Sequence, residues 1–199
     1  MVLPREGSMG KKEMNPTVIF HPAPVVLVTC QGLETRPNII TIAWTGVVSS
    51  RPPMIGIAIQ PIRYSHGLIR ESGEFGLNIP NKNILRAIDY CGFVSGKNVD
   101  KFSNTGLTPM TARRIKPPLI KECPVNLECA VRNFIPLGMH DLFIGEIVNV
   151  HLDEEVLDDG GKLDSSLVNP VTYFSQPADY WSLGNRIGIR GFTKGRHDL

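Results

Sequence analysis

Short runs of apolar and β-branched residues, separated by turn residues, dominate the first third of the chain. A run at 24–30 (PVVLVTC) is followed by a polar turn and by a second run at 39–44 (IITIAW). The segment SSRPP at 49–53 interrupts the pattern before a third run at 54–60 (MIGIAIQ). Short β-branched runs bounded by Gly, Pro, Asn and Ser are typical of strands. The pattern predicts three strands, the third of them buried on both faces.

Two segments carry helical rather than strand spacing. In residues 64–73 (YSHGLIRESG), Ser65 is a good N-cap and Gly73 a good terminator, so we predict a short helix between them. In residues 81–92 (NKNILRAIDYCG), apolar residues recur at helical spacing up to Gly92, which predicts a second helix. A strand (EFGLNIP) connects the two, and a polar loop after the second leads into one or two further helical turns.

The second half of the chain returns to strand patterns. From 125 to 132, apolar residues alternate with polar or small ones, which predicts a half-buried antiparallel strand. The segment 139–157 follows after a PLG turn, so the two form a predicted hairpin of long strands. Six or more strands with two or three short helices favour a barrel over a βαβ fold. The sequence has no G-x-G-x-x-G after the first strand and no G-x-x-x-x-G-K-[ST], so any nucleotide must be held in another way.

Composition narrows the class of protein. The 199 residues suit one domain, which we expect to span 17–199 after a flexible N-terminal arm at 1–16. A net charge of +2 without charge runs argues against nucleic acid. We find no signal-peptide pattern and no apolar run long enough to cross a bilayer, so we expect a cytoplasmic protein without a membrane partner. The four cysteines form no CxxC pair and predict buried free thiols with no metal site.

Five segments, taken in order, resemble one known family. They are PNIITIAWTGVVSSRPPMIGIAI, RYSHGLIRESGEFGLNIP, DYCGFVSGKNVDKF, CPVNLECAV and GMHDLFIGEIVNVHLDEEVL, and they extend over most of the chain. The sequence resembles the flavin-reductase-like family, specifically its flavoredoxin branch. The resemblance implies a mainly β fold, namely an FMN-binding split β-barrel of the Greek-key type with a few short flanking helices. It also implies a homodimer with the flavin near the subunit interface.

The local pattern and the resemblance agree on a phosphate site at the start of the first helix. Arg63, Tyr64, Ser65 and His66 stand where a predicted strand ends and a predicted helix begins. Unpaired N–H groups and the helix dipole favour an anion at such a junction, and Arg63 can add a charge-assisted clamp. The alternative is that Ser65 only caps the helix and Arg63 is only a solvated end residue.

The resemblance implies two further groups of cofactor-binding residues. The first offers hydroxyls, small side chains and backbone N–H groups to the flavin ring and ribityl chain: Asn38, Thr41, Ala43, Trp44, Thr45, Ser49 and Ser50. The second lies at the end of the second helix and in the loop after it: Tyr90, Cys91, Gly92, Ser95, Lys97 and Lys101. Either lysine can supplement the charge at the phosphate, with Asp100 orienting one of them. A core role for Trp44, a packing role for Cys91 and an ordinary surface loop around the lysines are the alternatives.

Among the histidines, His140 is the candidate catalytic residue. The segment GMHDLFIGE resembles the family's Gly-x-His segment, whose histidine lies near the flavin and the nicotinamide in related reductases. A histidine there could donate a hydrogen bond or balance charge during hydride transfer. The alternative is a solvated residue at the end of a hairpin. We expect His21, His151 and His197 at the surface, and we expect Tyr180 and Trp181 in packing or over the ring.

Three functions are compatible with these residues. The first is an FMN-dependent oxidoreductase, in which NAD(P)H supplies the electrons and free flavin or another acceptor removes them. The second is a non-catalytic electron carrier of the flavoredoxin type that serves a protein partner. The third is a binding module that has lost its flavin. The sequence has no readable motif for the acceptor or for the choice between NADH and NADPH.

Overall fold

The computed structural model describes residues 10–194 and, within them, shows a mainly β fold with four short helices. The strands are β1 (Ala23–Pro24), β2 (Val26–Cys30), β3 (Asn38–Ile42), β4 (Thr45–Ser50), β5 (Pro53–Ile59), β6 (Glu74–Ile79), β7 (Pro109–Met110), β8 (Leu119–Ile120), β9 (Val125–Leu137), β10 (His140–Leu152), β11 (Val171–Ser175) and β12 (Ala178–Ser182). The helices are α1 (Tyr64–Ser72), α2 (Leu85–Phe93), α3 (Lys101–Thr105) and α4 (Ser165–Val168). Short 3-10 turns lie at Lys82–Ile84 and Glu154–Val156.

Seven strands form one antiparallel sheet in the order β3–β2–β6–β9–β10–β5–β4. The predicted long hairpin is β9 and β10, which turn at Gly138 with a φ of 82°, a backbone conformation that glycine adopts without strain. Ile40 of β3 and Ile57 of β5 share one hydrophobic core, although their strands lie towards opposite ends of the order. The sheet therefore curls around this core and brings β3 against β5.

A second core lies on the outer face of β2 and β3. Leu27 of β2 packs there with Ile88 of α2 and Phe102 of α3, whereas the adjacent Val28 faces the inner core. Because side chains alternate between the faces of a strand, β2 is buried on both sides. Leu68 of α1 packs into the inner core instead. The start of α1, the end of α2 and the strand β3 consequently surround one cleft.

The first predicted helix is confirmed, but its N-cap is not Ser65. The helix α1 begins at Tyr64 with Arg63 as its N-cap, and it ends at Gly73, whose φ is 69° as a left-handed terminator requires. The second helix continues through Gly92 to Phe93 instead of stopping at Gly92. It extends because the Val94 N–H still donates to the carbonyl oxygen of Tyr90 at 3.0 Å.

The pattern does not predict β4, β11, β12 or α4. The sequence TGVVSS of β4 joins the apolar run of β3 without an intervening Gly or Pro, so the change of direction near Trp44 carries no turn signal. The Ala58 N–H, which donates to the Trp44 carbonyl oxygen at 2.9 Å, holds this corner against β5. The corner therefore depends on a tertiary contact and not on local turn chemistry.

The alternation from 125 to 132 correctly predicts a strand but not which side chains are buried. Glu128 is fully buried, because the segment between α3 and β9 covers this face of the sheet. The backbone N–H groups of Arg113 and Ile115 donate to its carboxylate. His151 donates to the same carboxylate through Nε2 at 2.6 Å. The His151 side chain is only 23% exposed, so the prediction of a surface residue is wrong.

Other expectations have mixed outcomes. All four cysteines are buried and free, as predicted: Cys30, Cys91, Cys123 and Cys129. His21 stacks on Phe174 with ring centroids 5.1 Å apart and is partly buried, so the surface prediction is wrong for it as well. Residues 10–16 are exposed and lie outside helices and strands, whereas 1–9 and His197 lie outside the described residues. Across residues 10–194, no helix combines the length and the apolar character needed to cross a membrane.

Candidate functional site

The cleft between α1, α2 and β3 contains two adjoining cavities. The first has a volume of about 350 Å³ and is lined by eight of the predicted cofactor-binding residues: Asn38, Arg63, Tyr64, Ser65, Cys91, Gly92, Ser95 and Lys101. The second has a volume of about 290 Å³ and is lined by Thr41, Ala43, Trp44 and the predicted catalytic residue His140. Ile40, Gln60, Arg63 and Gly92 line both cavities, so the two form one continuous groove. We call the first its anion end and the second its ring end.

The start of α1 gives the anion end its positive character. Arg63 has an extended conformation (φ −75°, ψ 133°), and within residues 10–194 no side chain caps the first turn of the helix. The first N–H groups of a helix lack intrahelical partners, and together with the helix dipole they favour an anion. The exposed guanidinium of Arg63 lines the same cavity. The junction is therefore suited to a phosphate group.

A buried amide lies beside this helix start. The Nδ2 of Asn38 donates to Oγ of Ser65 at 2.7 Å, while Asn38 Oδ1 is buried with no hydrogen-bond partner in the described part of the chain. A Cβ atom at Gly96 would lie 1.8 Å from that oxygen, so only glycine fits there. A buried acceptor without a partner is costly. A ligand hydroxyl group reaching this oxygen would remove that cost.

Lys101 places a second cation in the wall of the anion end. Its side chain is buried, and Nζ donates to the carbonyl oxygens of Ile39 at 2.6 Å and Cys91 at 2.8 Å. Burial lowers the pKa of Lys101, partly offset by the nearby Cys91 and Cys30 thiols. Burial also raises the pKa of Cys91 to about 11, which keeps this thiol protonated near neutral pH. Cys91 is therefore a packing residue of the cavity wall and not a reactive thiolate.

The ring end has one aromatic wall. The ring centroids of Trp44 and His140 lie 4.4 Å apart, and the two ring planes make an angle of 43°. Trp44 is 43% exposed, so it is not the core residue that a tryptophan in a β run would suggest. Burial lowers the pKa of His140, and the positive charge of Arg63 lowers it further. The imidazole is therefore neutral at physiological pH and has a polar N–H to offer to a ligand.

Six predicted site residues lie outside both cavities. The His66 side chain faces Asp141 on the far side of α1, and Tyr90 Oη accepts from Asn104. The hydroxyl of Thr45 donates to the Gly56 carbonyl oxygen at 2.8 Å. The remaining three are Ser49 and Ser50, further along β4, and Lys97, which is exposed on the loop after α2. Near the tail, Tyr180 contacts Asp89, and Trp181 is largely exposed.

Most of the lining residues absent from the sequence-based set are apolar or aromatic, namely Ile40, Ile42, Ala58, Ile59, Ile62, Val94 and Tyr173, and the other two are Gln60 and Gly96. Gln60 faces both cavities from the end of β5, and its signal is a polar residue that ends a buried run directly before Pro61. Gly96 lines the anion end, and its carbonyl oxygen accepts from Arg36 Nη2 at 3.3 Å. Its contact with Asn38 joins residues far apart in the chain, so the sequence carries no local signal for it.

Comparisons with known proteins identify a family for the chain. A family model described as "Flavin reductase like domain" matches residues 19–180. The chain is 36% identical over 142 residues to an uncharacterized protein of Archaeoglobus fulgidus, covering 71% of this chain and 79% of that protein.

Solved structures extend the likeness to the fold. Flavoredoxin of Desulfovibrio vulgaris (Miyazaki F) is similar with a TM-score of 0.87 and 34% identity, covering 94% of this chain and 100% of that one. Flavoredoxin of Methanosarcina acetivorans is similar with a TM-score of 0.85 and 31% identity, covering 94% and 98%. A protein with a split barrel domain from Shewanella frigidimarina, at 21% identity, has the same fold with a TM-score of 0.76 over 85% of each chain. The predicted split β-barrel is confirmed, and the chain belongs to the flavin reductase like domain family.

Proposed function

We propose that this chain binds FMN in the groove and acts as an FMN-dependent oxidoreductase supplied with electrons by NAD(P)H. Membership of the family supports a redox function that involves flavin. One observation carries the choice of site: an uncapped helix start with Arg63 beside it continues directly into the cavity of Trp44 and His140. Two solved relatives at more than 30% identity are flavoredoxins, which supports a flavin cofactor.

The chemistry of the groove matches FMN at three points. A phosphate dianion needs cations and N–H donors, which Arg63 and the start of α1 offer. The hydroxyl groups of a ribityl chain can donate to the unpartnered Oδ1 of Asn38. A flat, weakly polar ring suits the wall of Ile40, Ala43 and Trp44. These features support a ligand with an anionic end, a polar middle and a planar end.

The residues of the chain bind and orient the flavin, whereas bound FMN supplies the redox chemistry by accepting hydride and passing electrons to an acceptor. Arg63 and the N–H groups of α1 hold the anion. Lys101 holds the Ile39 and Cys91 carbonyl oxygens together and so fixes the two walls of the anion end. His140, neutral because of burial and Arg63, donates a hydrogen bond at the ring end. Trp44 excludes water from one side of His140.

A second candidate function is electron transfer without substrate turnover. The similarity to two flavoredoxins favours this function, in which FMN stays bound and a protein partner removes the electrons. The two proposals share the same groove and differ in kinetics. Rapid steady-state reduction of free flavin by a nicotinamide would rule out the carrier, whereas slow turnover with fast reduction of a partner protein would favour it.

We also propose that the chain forms a homodimer. The strand β4 is at the edge of the sheet, and its Val47 is 76% exposed. An exposed apolar edge strand tends to pair with another chain, and β4 begins directly after Trp44 of the ring end. Sedimentation of the wild-type protein and of Val47→Lys tests this: a dimer that the substitution dissociates is expected, and a wild-type monomer contradicts it.

The visible spectrum of the purified protein tests the proposed function. We expect a yellow holoprotein that bleaches anaerobically with NADH or NADPH. A yellow protein that neither nicotinamide bleaches would remove the NAD(P)H-linked activity and leave the carrier. A colourless protein that does not quench the fluorescence of added FMN would instead support a module that has lost its flavin.

A further inference from the structure

His66 belongs to the segment that forms the anion end, yet its side chain turns away from the groove. Its Nε2 donates to Oδ2 of Asp141 at 2.8 Å, and both side chains are only 11% exposed. A carboxylate this shielded needs a donor, because an unpaired buried charge is strongly destabilising. His66 supplies that donor, so the pair forms a buried polar contact between α1 and β10.

Aromatic side chains hold the His66 ring in one orientation. The Phe143 ring lies edge-on to it, with centroids 5.1 Å apart and an angle of 70°, and the Phe134 ring does the same at 5.9 Å and 73°. Arg70, further along α1, places its guanidinium 4.1 Å from the centroid of Phe134. Close-packed interiors leave a buried ring few other rotamers. The contact between His66 and Asp141 is therefore a rigid one.

The pair connects the two elements that carry the ends of the groove. His66 lies one helical turn after Arg63, and its N–H donates to the Arg63 carbonyl oxygen at 3.0 Å. Asp141 directly follows His140 in β10. The body of α1 packs on β2, β3 and β6. His66 connects this helix to β10 through the hydrogen bond to Asp141 and through the ring contact with Phe143.

We propose that His66 and Asp141 are positioning residues that set the separation of Arg63 and His140, and with it the distance between the anion end and the ring end. The inference rests on the proposed function, because this distance matters only to one ligand that reaches both ends. Displacements of about 1 Å can lower a reaction rate by about 100-fold where reacting groups must be held in register. A ligand that is held at both ends depends on the same kind of geometric match. Neither residue has to touch the ligand.

The chain contains a matched control for this pair. His151 and Glu128 form a second contact between a histidine and a buried carboxylate, at 2.6 Å, and Glu128 and His151 belong to the same two strands, β9 and β10. That contact lies towards the end of β10 opposite to His140. Replacing His151 by leucine removes the same kind of interaction from another part of β10 but leaves the α1–β10 connection intact.

Binding of FMN and of riboflavin separates positioning from general stability. Riboflavin has the ring and ribityl chain of FMN but lacks the phosphate, so it does not span both ends. We would titrate each apoprotein with each flavin and follow flavin fluorescence. His66→Leu is expected to weaken FMN binding by about tenfold, near the lower end of what losing a charge-assisted hydrogen bond to the phosphate costs, with riboflavin affinity close to that of wild type. His66→Gln retains an N–H donor for Asp141 and is expected to restore most of the FMN affinity.

The outcomes separate this inference from the proposed function. His151→Leu is expected to lower the melting temperature while the ratio of FMN to riboflavin affinity stays at the wild-type value. If His66→Leu weakens both flavins by the same factor, or neither, the positioning role is wrong even though wild-type protein binds FMN. Should His66→Leu not fold, Asp141→Asn tests the same ratio with a smaller change. Wild-type protein that binds no FMN would contradict the proposed function itself.

Discussion

The rings of Trp44 and His140 contact each other on the wall of the ring end, with their centroids 4.4 Å apart. Trp44 comes from the corner between β3 and β4, whereas His140 is the first residue of β10. The tilted indole covers one face of the imidazole, whereas the ring edge remains available to a ligand. In the part of the chain that the structure describes, the ring nitrogens of His140 make no hydrogen bond. The neutral imidazole therefore has one N–H that can donate to a ligand, while its other nitrogen can accept.

Replacing His140 by alanine is expected to slow the reduction of bound FMN by a nicotinamide without abolishing FMN binding. The loss of one hydrogen bond at the reacting end corresponds to about a tenfold lower rate constant, or about 1.4 kcal/mol. Anaerobic stopped-flow reduction with a nicotinamide measures it. Met139→Ala is the control, because Met139 is an exposed neighbour in the same turn. A His140→Ala protein that reduces at the wild-type rate would remove His140 from the catalytic role.

The protonation of His140 is expected to depend on Arg63. Burial and the guanidinium both lower the pKa of His140, so the imidazole stays neutral to a lower pH than an ordinary histidine. Arg63→Ala removes the positive charge and should therefore raise the pKa of His140 towards its ordinary value. NMR titration of the imidazole protons checks this. An unchanged or lowered pKa in the variant would show that the two groups do not interact.

Arg63→Ala should also weaken FMN binding. A charge-assisted hydrogen bond to phosphate contributes about 1.5–3 kcal/mol, which corresponds to roughly a 10- to 150-fold higher Kd. Fluorescence quenching of FMN by the apoprotein measures the change. Arg132→Ala is the matched control, since Arg132 is paired with Glu146 on the exposed part of the β9–β10 hairpin. Equal affinities for the two variants would place the phosphate elsewhere.

Gly96→Ala is expected to disrupt the anion end from the loop side. The new methyl group would lie 1.8 Å from Asn38 Oδ1, so Asn38 must move and its bond to Ser65 is lost. We expect FMN affinity to fall by about tenfold or more, equivalent to about 1.4 kcal/mol. Gly67→Ala is the control, because in the described structure a Cβ there meets no atom within 4 Å. Equal FMN affinity in both variants would mean that the contact between Asn38 and Gly96 does not contribute to FMN binding.

The strands and the first helix are predictable because their signals are local. The β-branched runs give β2, β3 and β5, and the terminator Gly73 gives the end of α1. The buried state of Glu128 is not predictable from alternation, since it depends on a distant loop whose N–H groups fold over the sheet. Tertiary contacts override the local pattern wherever a second layer covers a strand.

The site is predictable where residues adjacent in the sequence also face one cavity. Arg63 and Ser65 meet this condition at the start of α1, and Trp44 meets it at the corner after β3. His66 does not, because its position in the first helical turn directs the side chain to Asp141 instead of the groove. Gly96 is hidden for a further reason: its role is the absence of a side chain, which only the fold reveals.

Glu128 is expected to make the stability of the fold sensitive to acid. Burial raises the pKa of this carboxyl, but hydrogen bonds from His151, the Arg113 N–H, Asn149 and the Arg114 N–H outweigh burial and lower the pKa from 4.5 to about 2. A depressed folded-state pKa gives stability that is fully present above the ordinary value and is lost as the pH falls towards 2. The shift corresponds to about 3 kcal/mol at neutral pH, of which about 2 kcal/mol is lost by pH 3.

Urea unfolding of wild type and Glu128→Gln at neutral pH and at pH 3 measures this contribution. The free energy of unfolding should fall less with acid in the variant, because glutamine does not titrate. Glu146→Gln is the control, since Glu146 is a partly exposed carboxylate of the same hairpin. Identical acid sensitivity in wild type and Glu128→Gln would mean that the buried carboxylate does not control acid unfolding.

A crystal structure of the protein with FMN tests the central claim most directly. We predict electron density for the phosphate at the start of α1, within hydrogen-bond distance of Arg63 and Ser65, and for the ring beside Trp44 and His140. FMN bound at another surface, or a groove that stays empty at saturating FMN, would contradict the account.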